Sequence, residues 1–141
     1  MRPDLCHDME GIETIMKISV VYTSTTPELI RDVERELRLV LGDNAELVSS
    51  SDASILQETR DAGEVTAGAA SRLVSLYMEA VRSGADVILN ACSSVGEAAD
   101  AARPLARYMG VPIVRIHEEM CREAVRRGSK IAVVATLPTT L

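Results

Sequence analysis

Cys92 stands where a strand pattern gives way to a turn. The run Ala85-Asp86-Val87-Ile88-Leu89-Asn90-Ala91-Cys92 is apolar without alternation, and Ser93, Ser94, Val95 and Gly96 follow at once. A run of this kind suits an interior strand of a parallel sheet. A strand, a small-residue turn and a helix start put the thiol at the carboxyl edge of the sheet, where open α/β folds bind ligands. Backbone N–H groups at a helix start favour negative charge, so a thiol there can be held as a reactive thiolate. Spacing then sorts the possible chemistries. A Cys-x5-Arg phosphatase needs a bidentate arginine six positions on, and that position is Ala98. A dithiol pair needs Cys-x-x-Cys, and the third position on is Val95. A cysteine hydrolase needs a base, and His117 is the only histidine beyond the first fifteen residues. His117 fits a helix-start residue with a wet polar tip equally well. What remains is a thiolate acting as a base.

The turn after Cys92 offers N–H groups that can grip a carboxylate. Ser93 and Ser94 add hydroxyls without bulk. Thr23, Ser24, Thr25 and Thr26 end the first strand pattern, and in a sheet ordered 2-1-3-4 their edge adjoins that of Cys92. Together the two loops would form a hydroxyl-and-amide cradle without a cation. Thr26 also reads as the cap of the next helix, and Ser24 and Thr25 suit capping as well as binding.

These residues are positioned by alternating strand and helix patterns. Lys17–Tyr22 is an Ile/Val-rich strand, and Thr26-Pro27-Glu28 opens a helix with a hydroxyl cap and proline at its first position. Leu29, Val33, Leu37 and Val40 recur at helical spacing up to Gly42. Ala45–Val48 is a weaker strand, and Ser49–Val65 is polar and turn-rich, long enough for a flap over a site. Thr66 caps a helix that ends at Gly84. The Cys92 strand follows, then an alanine-rich helix over Gly96–Met109 that Pro104 should kink or split. Pro112–Ile116 is a fourth strand, His117 opens a short helix, and Lys130–Ala135 is a fifth strand. The pattern is that of an α/β fold, a doubly wound and mainly parallel sheet with helices on both faces and right-handed crossovers, flavodoxin-like in outline.

A chain of 141 residues fits one ordinary domain. The net charge of −6 and the lack of Trp and Phe argue against nucleic acid and anionic membranes as partners. No apolar stretch approaches the ~20 residues that span a bilayer. The first fifteen residues lack the apolar block of a signal peptide, so the expected location is cytoplasmic. Met16 directly precedes the first strand and reads as a possible start, with residues 1–15 a disordered leader. Cys6 and His7 lie in that leader without a second Cys/His pair at ligand spacing, so no metal site is expected. Three well-separated cysteines give no disulfide framework.

One internal similarity bears on domain organisation. Lys17–Thr26 aligns with Lys130–Thr139, and six of the ten pairs are identical (Lys, Ile, Val, Val, Thr, Thr). Read as a duplication, it makes residues 16–116 a first α/β half carrying Cys92. Residues 117–141 then form the crossover helix and first strand of a second half cut short at Leu141. A fifth strand without the partners of its own half would expose apolar surface, so self-association into a homo-oligomer is expected.

Asn90-Ala91-Cys92-Ser93-Ser94-Val95-Gly96-Glu97, the Thr25-Thr26-Pro27-Glu28 opening and Ala135-Thr136-Leu137-Pro138-Thr139-Thr140 resemble the aspartate/glutamate/hydantoin racemase family, from about Met16 to Leu141. The resemblance implies two pseudo-symmetric α/β halves facing across a cleft, one cysteine from each, and no cofactor. One thiolate would remove the proton beside a carboxylate and the opposite thiol would return one to the other face. Cys92 would be the first-half acid/base. The implied substrate-binding set is Thr23, Ser24, Thr25, Asn90, Ser93, Ser94, Thr136 and Thr139, and the implied partner is a small carboxylate, an amino acid or hydantoin. Cys121, on a helix with Met120, Ala124 and Val125, reads as a packing residue, so no second acid/base is evident. Two-base racemisation is therefore not expected of this chain alone. Relatives that use one cysteine for malonate decarboxylation or maleate isomerisation, and a non-catalytic anion-binding flavodoxin-like domain, stand as alternatives.

Overall fold

The computed structural model describes residues 15–141. Cys6, His7 and nearly all of the expected leader fall outside them. The elements run β1 (Met16–Tyr22), α1 (Pro27–Leu41), β2 (Ala45–Ser51), α2 (Ala53–Ala62), α3 (Ala67–Arg82), β3 (Val87–Asn90), α4 (Gly96–Tyr108), β4 (Ile113–Arg115) and α5 (Glu118–Arg127). The four strands form one parallel sheet in the order β2-β1-β3-β4, the order expected for a doubly wound fold.

Alternation along β1 divides its side chains between two apolar clusters. Ile18, Val20 and Tyr22 face α1, where Leu29, Ile30, Val33 and Leu37 pack on them. Val21 faces the other way and joins Ile88 of β3 and Ile113 of β4 beneath Leu73 and Tyr77 of α3 and Ala99, Ala102 and Ala106 of α4. Small residues on α4 let it lie close to the sheet. Thr66 caps α3, its hydroxyl accepting the Ala69 N–H at 3.0 Å. Thr26 occupies the cap position of α1 but makes no side-chain cap bond; its hydroxyl meets Ser24 Oγ at 2.9 Å instead.

Three local expectations are corrected. The segment Ser49–Val65 is not a flap: Ser49–Ser51 extends β2, and Ala53–Ala62 is a helix. Asp52 starts that helix by accepting the Ser54 N–H at 2.9 Å, and Ile55 and Thr59, one turn apart, are fully buried. Its polar composition conceals this short apolar stripe. Pro104 does not split α4, which runs unbroken from Gly96 to Tyr108. The proline is exposed, so water can reach the carbonyl one turn back that its missing N–H leaves free. Lys130–Ala135 is not a strand, because no neighbour among the described residues pairs with it. Val133 and Val134 are 72% and 92% exposed there, so strand-forming residues alone do not make a strand.

Candidate active site

Register fixes which side chains meet at the carboxyl edge. Tyr22 pairs with Ser51, Val21 with Asn90, and Asn90 with Arg115. Pairing continues past the strand ends through Asp52 N–H to Tyr22 O (3.1 Å), Ala91 N–H to Val21 O (2.9 Å) and Ile116 N–H to Asn90 O (3.1 Å). Asp52, Thr23, Cys92 and His117 therefore leave the sheet at one level on four adjacent strands. Neighbouring strands lie roughly 5 Å apart, so each residue of this row is within reach of the next.

Cys92 is half-buried and packs against the apolar cluster under α3 and α4. Its main chain is held from below. Asn90, fully buried, donates from Nδ2 to the Cys92 carbonyl at 2.7 Å and accepts from the Tyr77 hydroxyl at 2.9 Å. Asn90 is thus engaged through both ends of its amide. The Gly96 N–H closes the turn on Ser93 O at 3.1 Å. Among the described residues, no acceptor takes the N–H groups of Cys92, Ser93, Ser94 or Val95. Successive free N–H groups before a helix N-terminus form a concavity suited to an anion.

The first-strand loop borders the row on the β2 side. Thr23 is buried with its hydroxyl unpaired, Ser24 is half-buried, and Thr25 is exposed. Thr23 to Pro27, with Ala53, Leu56, Gln57 and Arg60 of α2, enclose a cavity of about 420 Å³. Arg60 makes no ion pair among the described residues. Larger depressions, of about 720 and 690 Å³, lie along the outer face of α1 and beside Pro104 of α4. Cys92 lines none of the three, so chemistry rather than a cavity marks the edge.

On the β4 side the edge is not free of cations, contrary to the sequence reading. The Arg115 guanidinium covers Gly96 so closely that a Cβ there would displace it. Arg115 also donates to Asp100 Oδ2 and His117 Nε2, both at 2.6 Å. Arginine only donates, so Nε2 is the accepting nitrogen and the imidazole proton sits on Nδ1. Burial, then the Arg115 charge, hold the His117 pKa below its ordinary value. With its lone pair taken, His117 is poorly placed to receive a proton from Cys92.

The C-terminal turn, Pro138–Thr140, folds back onto the Cys92 loop. Ser94 Oγ meets Thr140 Oγ1 at 2.9 Å, and the neighbouring Thr139 hydroxyl is buried without a partner. Thr136 is exposed, and no hydrogen bond joins it to the loop.

The sequence profile of the Asp/Glu/hydantoin racemases matches residues 18–141, which include the whole carboxyl edge. The chain belongs to the Asp/Glu/hydantoin racemase family. Neither the comparison with curated proteins nor that with solved structures gave a match. Membership gives this racemase-family chain a function of the racemase or isomerase type and small carboxylates as its class of substrate. No group of three or more His, Cys, Asp or Glu suited to a metal occurs among the described residues, and no helix there is long and apolar enough to cross a membrane.

Three participants at the edge were not singled out from the sequence. Tyr77 falls on the buried stripe of α3 with Ala69, Leu73 and Ala80, where it is one more apolar position. Arg115 carried no motif, although a glycine beginning a helix hinted at a close neighbour. Thr140 stood beside the expected Thr139, and only the fold shows which of the two meets Ser94.

Proposed function

We propose that Cys92 is the acid/base of a cofactor-independent racemase-type site acting at the carbon next to a carboxylate. The observation that carries the reading is the half-buried thiol in a turn before α4 whose N–H groups, from Cys92 to Val95, have no acceptor among the described residues. The substrate carboxylate takes the Ser93 and Ser94 N–H groups, with the Ser94, Thr139 and Thr140 hydroxyls around it. Thr23, Ser24, Thr25 and Thr136 contribute from the two strand-end loops, and Asn90 holds the turn. The Cys92 thiolate removes the α-proton and becomes a thiol, and the electron pair left on carbon spreads into the carboxylate, where N–H donors stabilise it. Inversion then needs a proton delivered to the opposite face by a second group.

Cys121 is a poor candidate for that group. It lies exposed on α5, a helix with no buried residue. We propose instead that residues 16–116 are the first half of the site and that 117–141 open a second half, which supplies the opposite donor. The Lys17–Thr26 and Lys130–Thr139 similarity supports this division.

Two measurements test the reading on the chain itself. Aspartate or a hydantoin should slow alkylation of Cys92 while leaving Cys121 unchanged, because only the former sits at the proposed carboxylate site. Polarimetry should register no change in the rotation of either enantiomer. Absence of protection contradicts the site, and turnover lost in Cys92→Ala contradicts the need for a second half.

A further inference from the structure

Tyr77 is the largest polar side chain in the cluster beneath α3 and α4, and its hydroxyl is spent on one bond. Tyr77 and Asn90 are both fully buried. The Cys92 carbonyl can only accept, so the Asn90 NH2 must face it, at 2.7 Å. The Asn90 carbonyl is then turned toward α3, and Tyr77 must donate to it, at 2.9 Å. The chain of donors has one direction: Tyr77 hydroxyl to Asn90 carbonyl, Asn90 amide to Cys92 carbonyl. Burial, then the neighbouring Cys92, raise the Tyr77 pKa well above its ordinary value, so the phenol keeps the proton it donates.

This relay has a consequence at the far end. No cis peptide occurs among the described residues, so the Cys92–Ser93 peptide is trans and its C=O and N–H point to opposite sides. Pinning the Cys92 carbonyl inward onto Asn90 turns the Ser93 N–H away from the core. We infer that Tyr77 is a positioning residue for the Cys92 loop: through the Asn90 amide, it aims the Ser93 N–H at the open edge beside the thiol. The inference rests on the reading of Cys92 as the acid/base, and it adds a residue on α3 whose hydroxyl bonds to Asn90 rather than to the sulfur.

The test compares alkylation rates of Cys92 and Cys121 in the full chain, read residue by residue by peptide mapping, using iodoacetate as a carboxylate-bearing probe. Tyr77→Phe keeps the ring and removes only the hydroxyl. Loss of positioning lowers the Cys92:Cys121 ratio about tenfold, whereas simple loosening of the core raises it by exposing a half-buried thiol. Leu73→Val, on the same helix, supplies that loosening control and should leave the ratio unchanged or higher. Asn90→Ala should lower the ratio as Tyr77→Phe does, and the double variant should be no lower than Asn90→Ala alone, because both act along one relay. A wild-type ratio well above one with Tyr77→Phe unchanged overturns the positioning role alone. A wild-type Cys92 slower than Cys121 overturns the acid/base reading together with it.

Discussion

The two faces of the sheet are finished very differently. On one, α3 and α4 close over Val21, Ile88 and Ile113 and contribute fully buried side chains of their own. On the other, α1 covers Ile18, Val20 and Tyr22 without burying any of its own residues completely. Beyond its reach, Val114 and Ile116, on the same face as Leu89, are 41% and 43% exposed. Cys92 is anchored to the closed face through Asn90 and Tyr77, whereas α5 has no buried residue and Lys130–Ala135 no paired strand. The difference separates what holds the thiol from what would complete its surroundings.

The largest effects should come from the closed face. Leu73→Ala there should cost about 2–5 kcal/mol of stability, as truncation of a fully buried leucine does. Leu37→Ala on α1 should cost only about 1 kcal/mol, in line with partial burial. Urea unfolding of both variants breaks the comparison if the two losses are equal.

Next in size is the behaviour of the exposed apolar surface. We propose that the exposed apolar residues of β4, α5 and Val133–Val134 drive self-association, since patches of this kind mark interaction surfaces. Light scattering should show a species larger than the monomer, and Val134→Glu should reduce it. A clean monomer at high concentration contradicts the idea.

The smallest effect is that of pH at the β4 edge. The folded His117 binds its proton less readily than the unfolded chain does, so its contribution is whole above the unfolded value near 6.5 and declines as pH falls below it. Glu118 behaves alike in a lower window. The Arg103 hydrogen bond lowers its pKa, so its contribution is whole above about 4.5 and is lost with further acidification. Thermal melts at about pH 7.5 and about pH 5.5 should therefore show a modest loss. His117→Gln should flatten it, and an equal loss in the variant rules out His117 as the source.

The strand order and the edge position of Cys92 were legible because an unalternating apolar run ending in small polar residues has few other uses. Thr66 was legible as a cap for the same local reason. The Ala53–Ala62 helix was hidden because two buried residues, Ile55 and Thr59, carry it inside a polar segment. The β-like composition of Lys130–Ala135 misled in the opposite sense, since pairing depends on a neighbour that a local pattern does not supply. The Tyr77–Asn90 relay and the Arg115–Asp100 contact were illegible because each joins residues from different elements. Their partners are set by sheet register and helix packing, not by spacing along the chain.

The most direct test of the central claim sets the two described thiols against each other. Cys121 is exposed and Cys92 half-buried, so accessibility alone favours Cys121. If Cys92 is an acid/base held beside free N–H groups, iodoacetamide near pH 7 should modify it about tenfold faster than Cys121 despite its burial. Faster modification of Cys121, in keeping with exposure, would contradict the account.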